Sequence, residues 1–322
     1  KYFMDKLGMD EDDNLIPGKR YHNFKDFIKF PNVGGKELQY QKIVQLPVKQ
    51  LEDEKSVFTA IKKKDVLIHY PYQTFNYFID LLREAAIDPK VKSIKITIYR
   101  LASESKVVNA LINAAKNGKK VTVVIELQAR FDEENNIYWS NQLQEEGVTV
   151  LHGLAGLKIH SKICIISRKE NNKLVNYCSI GTGNYNESTA NLYSDFSLFT
   201  ANTKITIEVS KVFKIIEGKI TPYYFKHLVL SPNNLRNKLV RLINTEKRNA
   251  LAGKPAYIYL KLNSLVDNDL ITKLYQASKA SVKIKLNIRG ISSIIAGVEG
   301  LSENIEAISI LDKFLDHSRL YV

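Results

Sequence analysis

The chain has 322 residues, long enough for two separate cores, and its 44% hydrophobic and 25% charged residues are the balance of an ordinary globular protein. No apolar run approaches the roughly 18–20 residues that a membrane-spanning helix needs, and Cys164 and Cys178 are too few for a disulfide framework. With 47 Lys and Arg against 34 Asp and Glu, the formal charge is +13, an excess that attracts polyanions in general without choosing among them.

Residues 1–50 are irregular, punctuated by Pro17-Gly18, Pro31-Asn32 and Gly34-Gly35, and read as the tail of a preceding domain. Asp65 to Tyr70 then forms a strand in which His69 is expected to be structural, and Phe75, Phe78, Ile79 and Leu82 have helical spacing. Ser93 to Arg100 is a β-branched, alternating strand, 104–117 a helix, and Val121 to Leu127 a buried strand followed by Arg130. A helix over about 132–146 and a strand from Val148 to His152 complete the series. Such alternation predicts right-handed crossovers and a largely parallel sheet, with ligands gathering beyond the carboxyl ends of the strands, where Arg100 and Arg130 fall.

Next comes Gly156-Leu157-Lys158-Ile159-His160-Ser161-Lys162, an apolar run Ile163 to Ile166, a charged turn, and Gly181-Thr182-Gly183-Asn184-Tyr185-Asn186. His160 and Lys162, two apart, are expected on the same side of one strand, since side chains alternate with period two. An imidazole beside a fixed cation suits attack on a phosphorus centre. The paired glycines allow close backbone approach, and Asn184 offers an amide donor.

Lys204 to about Gly218 reads as an amphipathic helix, Ser231-Pro232-Asn233-Asn234 as a boundary, and a helix runs through about 249. The pattern then restarts with strand Tyr257–Leu262, a helix around 267–279, strand Val282–Ile288 followed by Arg289, and strand Ala307–Leu311 before His317-Ser318-Arg319. Each half therefore supplies a His-Ser-basic triplet, and two pseudo-related halves could bring His160 and His317 to one cleft. A neutral imidazole can act as nucleophile and a second as general acid or base, with Lys162, Arg319, Arg100, Arg130 and Arg289 neutralising phosphate oxygens.

His-x-Lys with Gly-Thr-Gly-Asn, echoed at His317, resembles the phospholipase D superfamily. Several phrases are similar, more specifically, to the type 1 polyphosphate kinases: Thr97 to Arg100, Glu126 to Glu134, Gly156 to Lys162, Gly181 to Asn186, Tyr21 to Phe27 and Leu315 to Arg319. The resemblance covers essentially the whole chain and implies an α/β fold of two phospholipase D-like domains. Each would hold a mixed, largely parallel sheet flanked by helices, the two pseudo-repeated around a shared cleft. Residues 1–50 would be the tail of the family's middle (head) domain, 51–226 the first catalytic domain and 227–322 an incomplete second one, with the family's N-terminal domain and C-terminal end outside this sequence.

The resemblance further implies reversible transfer of the ATP γ-phosphoryl group to inorganic polyphosphate through a phosphohistidine at His160. His317 would be the second catalytic histidine and, with Tyr193 and Arg289, contact ATP. Lys162, Asn184 and Arg319 would bind phosphate. Arg100 and Arg130 match positions beside magnesium-bound phosphates; a guanidinium cannot ligate Mg²⁺, so they are expected to hold a phosphate that the metal shares. Mg²⁺ with ATP, polyphosphate as partner substrate, a homo-oligomer without nucleic acid or membrane span, and a cytoplasmic location, at most peripheral to a membrane, complete the expectation. Ser167 stands where the wider superfamily has an aspartate, which weighs against the alternative of a phosphodiesterase or nuclease. Ser179 stands where some polyphosphate kinases have another histidine, and no P-loop is present. The remaining alternative is a catalytically impaired fragment that binds polyanions.

Overall fold

The computed structural model describes residues 2–10, 31, 33–127, 133–154, 156–221 and 225–322. Two compact units divide the chain, Lys1–Lys42 and Ile43–Val322. In the first, the described residues form helix α1 (Tyr2–Leu7) and a 3-10 turn at Lys36–Leu38. The phrase Tyr21 to Phe27 lies outside the described residues.

The second unit opens with helices α2 (Lys49–Glu52) and α3 (Val57–Lys63), strand β1 (Val66–Tyr70) and helix α4 (Asn76–Ile87). It continues through β2 (Val91–Ile98), α5 (Lys106–Lys116), β3 (Lys120–Ile125), α6 (Glu133–Glu145) and β4 (Thr149–Leu151). Then follow β5 (Lys162–Glu170), β6 (Lys173–Gly181), α7 (Glu187–Ala190), β7 (Tyr193–Thr200) and α8 (Thr203–Ile216). The remaining elements are α9 (Leu235–Leu251), β8 (Tyr257–Leu262), α10 (Asn268–Lys279), β9 (Lys283–Ile288), β10 (Ile305–Ile308), β11 (Leu315–Asp316) and β12 (Leu320–Tyr321). Side-chain caps fix several helix starts: Ser105 accepts from Val108 N at 3.2 Å and Asp267 from Leu270 N at 2.9 Å.

The strands form two mixed sheets. The larger has the order β1-β7-β6-β5-β2-β3-β4, with β11 added on β7; the smaller has the order β10-β9-β8-β12. The parallel expectation holds for β2–β3–β4 and for β8–β9–β10. It fails from β2 outward, where β5, β6, β7 and β1 pair antiparallel. For β5 and β6 the reason is local. Asn171 and Asn172 both take positive φ (46° and 62°), and this two-residue turn folds β6 directly back on β5, whereas a parallel pair needs a long crossover. The expected strand at 307–311 lies earlier, at Ile305–Ile308: Ile305 is buried, whereas Ile310 and Leu311 are exposed.

Alternation in β3, β5 and β6 sorts residues onto two covered faces. On one face Val123, Cys164, Ile166 and Tyr177 pack with Phe78 and Leu82 of α4 and Val108 and Leu111 of α5. On the other Val124, Ile163, Ile165 and Cys178 pack with Val209, Phe213 and Ile216 of α8. The two cysteines thus face opposite sides of the sheet. A separate core joins Ile243 of α9 and Ile271 and Leu274 of α10 to Ile258, Ile284 and Leu286 of the smaller sheet.

The connector after α8 is tied down by one side chain. The Glu208 carboxylate accepts backbone N–H bonds from Lys226 (2.8 Å), His227 (3.0 Å) and Leu228 (2.7 Å). Burial pushes its pKa up, but the three donors outweigh burial and hold it below the ordinary value. A depressed carboxyl stabilises the fold above its unfolded pKa and loses that contribution as the pH falls. Glu208→Gln should therefore lower stability at neutral pH by about 1–3 kcal/mol in urea melts. The gap from wild type should narrow as the pH drops below the ordinary value of 4.5; a pH-independent gap would assign the loss to packing.

Candidate active site

His160 stands in the loop just before β5, not on the strand itself, because β5 begins at Lys162. Buried polar groups pin the backbone on both sides of it. Glu126 Oε2 accepts from Ile159 N at 3.0 Å. Thr97, at the end of β2, donates through Oγ1 to Ser161 O at 2.7 Å and accepts from Ile163 N at 3.1 Å. Lys162 is buried, and its ammonium donates to the His160 carbonyl. The two residues do not share one strand as expected, yet both side chains meet the ring of Tyr99.

The His160 imidazole is exposed, yet its pKa is pushed down to about 3, first by partial burial of the ring and then by Lys162, Arg319, His317 and Lys158. It is therefore neutral across the physiological range, with an unprotonated nitrogen for attack. Lys162 is lowered to about 7, by burial first and then by Arg319 and Arg100, against Asp195.

The second histidine reaches the same place by strand pairing. Leu315 and Asp316 of β11 lie parallel to Tyr193 and Ser194 of β7, with Ser318 N donating to Ser194 O at 2.9 Å. This sets the buried His317 over Asp195, whose two oxygens lie 2.9 and 2.8 Å from Nδ1. A carboxylate only accepts, so Nδ1 carries the proton and Nε2 is the free acceptor. Thr182 Oγ1 donates to Asp195 Oδ1 at 2.6 Å. Gly183 is required beside it, since an added Cβ would lie 2.5 Å from Asp195 Oδ2. Burial lowers the His317 pKa, Asp195 works against that, and Arg319 and Arg289 add to it.

Three polar side chains hold Asp316, the residue before His317. Lys261 of β8 pairs with it, Asn287 Nδ2 of β9 donates at 2.8 Å and Ser194 Oγ of β7 at 3.4 Å. Lys261 Nζ also donates to Ser318 Oγ at 2.7 Å, so the His317 segment is clamped between the two sheets.

Of the remaining expected residues, Tyr193, Arg319 and Arg289 lie around His317, and Arg100 lies beside Tyr99. Tyr193 places its ring centroid 5.1 Å from that of His317. Arg319 donates to the His317 carbonyl. Arg289 donates through Nε (3.1 Å) and Nη2 (2.6 Å) to Asn263 Oδ1, while its buried Nη1 has no hydrogen-bond partner among the described residues. Asn184 is buried with Oδ1 equally unsatisfied. Unmet polar atoms of this kind mark where a ligand would bond. Arg100 lies beside Tyr99 and acts on Lys162. Arg130 lies outside the described residues. Ser179 is buried among Ser197 Oγ (3.0 Å) and Tyr185 OH (3.1 Å), and Ser167 Oγ donates to Asn176 Oδ1 at 2.8 Å, so both are structural here.

Sequence reasoning missed Asp195, Lys261 and Asp316. Asp195 leaves a trace: it is a carboxylate at an inward position of β7, in step with buried Ser197 and Phe199.

Residues 56–222 match the family model described as polyphosphate kinase C-terminal domain 1, and residues 228–322 that of polyphosphate kinase C-terminal domain 2. The chain belongs to the polyphosphate kinase family. It is 52% identical over 322 residues to a polyphosphate kinase of Vibrio vulnificus (strain YJ016), covering 100% of this chain and 46% of that relative. It is 50% identical over 320 residues to a polyphosphate kinase of Escherichia coli (strain K12), covering 99% and 46%. The crystal structure of polyphosphate kinase from Porphyromonas gingivalis superposes with a TM-score of 0.82 at 39% identity, covering 95% of this chain and 51% of that one. The chain thus spans about half the length of the curated relatives it matches.

In Asp195→Asn, His317 loses the group that raises its pKa while burial, Arg319 and Arg289 still lower it. Its NMR titration midpoint should fall below that of wild type. An unchanged or higher midpoint would mean that the contact with Asp195 does not govern the ring.

Proposed function

We propose that this chain carries out the phosphoryl transfer of a polyphosphate kinase, with residues 51–226 and 227–322 as its two catalytic domains. The observation that carries this reading is the pairing of a solvent-open, neutral His160 ringed by cations with a second imidazole, His317, whose Nδ1 is held by Asp195. In the forward direction the free ring nitrogen of His160 attacks the γ-phosphorus of ATP; an N–P bond forms as the bond to the β-phosphate oxygen breaks, and ADP leaves. A terminal oxygen of polyphosphate then attacks the same phosphorus, the N–P bond breaks, and the chain is one phosphate longer. His317, through Nε2, gives or takes the proton that the leaving or attacking oxygen requires.

Lys162, Arg319 and Asn184 would hold the transferring phosphoryl group, and Arg100 and Arg130 would clamp neighbouring phosphates bidentately. Tyr193 and Arg289 contact the nucleotide. Among the described residues no group of three His, Cys, Asp or Glu side chains could hold a metal ion, and Asp195 is engaged by His317. Mg²⁺ would arrive with the substrate, on the phosphates of ATP. Among the described residues no helix is long and apolar enough to cross a membrane. A homo-oligomer remains part of the proposal on family resemblance alone.

The test is incubation with [γ-³²P]ATP and Mg²⁺, then an alkaline quench that preserves phosphohistidine. Label should appear on His160, vanish in His160→Ala and discharge on adding ADP. Because His160 stays neutral far below the ordinary 6.5, labelling should persist in mildly acidic reactions. It should weaken on the alkaline side as Lys162, lowered to about 7, loses its charge. Hydrolysis of a phosphodiester by an unlabelled protein would overturn the kinase reading.

A further inference from the structure

We infer that Tyr99 is a positioning residue, whose ring is the platform on which the nucleophile and the phosphate-binding cations are assembled before substrate arrives. The link to phosphoryl transfer rests on the function proposed above; the positioning itself does not.

Tyr99 follows β2, is only half-buried, and belongs to none of the apolar core clusters among the described residues. What surrounds it instead is the site. The His160 ring lies 4.7 Å away, centroid to centroid, with the planes at 73°. Over the same ring come Lys162 Nζ at 4.9 Å, Lys158 Nζ at 5.7 Å and Arg100 Cζ at 5.9 Å. These are cation–π distances, and the near-perpendicular imidazole is the favoured aromatic geometry.

Lys162 is held by its bond to the His160 carbonyl, but three like charges around one nucleophile still repel one another. The electron-rich face of Tyr99 offers each a weak attraction in common and so gathers them without neutralising any. A carboxylate in that position would also gather them, but it would compete with phosphate and repel it. The platform is itself fixed: the Tyr99 carbonyl accepts from Asn136 Nδ2 at 3.0 Å, and the same amide donates to Glu126 O at 2.9 Å. Glu126 and Thr97 are the groups that pin the His160 backbone, so ring and loop share one support.

Three variants of this chain test the inference: Tyr99→Phe, Tyr99→Leu and, as a second ring-less variant should leucine fail to fold, Tyr99→Met. Two readouts are needed. The first is the NMR titration of His160, which requires no phosphorylation and reports the groups facing it: Lys158, Lys162, Arg100, Arg319 and His317, with Asp195 beyond them. The second is the rate of ³²P labelling from [γ-³²P]ATP at limiting and saturating nucleotide. Tyr99→Phe should titrate like wild type and label within about twofold of it, since the ring and not the hydroxyl does the gathering. The ring-less variants should titrate nearer the ordinary imidazole value, as the ring is uncovered and the cations spread. They should also label about tenfold or more slowly even at saturating ATP, as expected when orientation rather than affinity is lost. Ring-less variants that titrate and label like wild type would overturn the inference, as would a Tyr99→Phe variant as impaired as they are. If wild type takes no label, the kinase reading fails, and the titration alone decides the role of Tyr99.

Discussion

Leu315 and Asp316 make only a short parallel pairing with Tyr193 and Ser194, yet the rest of the site depends on it. The pairing sets the next residue, His317, directly over Asp195, a residue 122 positions earlier in the chain. Two such distant segments gain little from so few backbone bonds, given the entropy of ordering the loop between them. The polar hub at Asp316 makes up the difference, because Lys261 and Asn287 join the smaller sheet to the strand that pairs with β7 of the larger one. The second histidine is therefore positioned by strand pairing and ion pairing together.

Around that framework the electrostatics run against folding. Lys162 is buried beside Arg319 and Arg100, and its depressed pKa records the cost of burial first and of the neighbouring cations second. A site with its positive charge fixed in advance repels itself when empty and is satisfied by a polyanion, as expected of preorganised phosphate binding. Burial first, and the neighbouring cations after it, lower the pKa of both imidazoles, and at His317 Asp195 works against them.

Much of this was legible in the residues. The alternation between Ser93 and His152, and again between Tyr257 and Ile288, corresponds to β2–α5–β3–α6–β4 and to β8–α10–β9, because buried strands and amphipathic helices carry periodic apolar patterns. The two His-Ser-basic triplets mark residues that do converge. Strand β7 escaped notice because Asp195 and Ser197 occupy inward positions where a core strand would be apolar; the interruption in pattern is the site itself. Strand β11, with two residues and an exposed Leu315, has no local signal at all and exists only through its partner. Tyr99 reads as one more core aromatic in sequence, since a ring's neighbours are fixed by tertiary structure rather than spacing. The antiparallel half of the large sheet was hidden in Asn171-Asn172, a turn signal within a charged run.

The placement of β11 also imposes an order of events on the nascent polypeptide. A ribosome makes residue 160 long before residue 317, and Asp316 can dock only when Lys261 and Asn287 are in place on the smaller sheet. His160 is thus made while His317 does not yet exist. His317 reaches Asp195 only once β11 has paired with β7 and Asp316 has met Lys261 and Asn287, so in a translation product ending before β11 Asp195 would lack that partner.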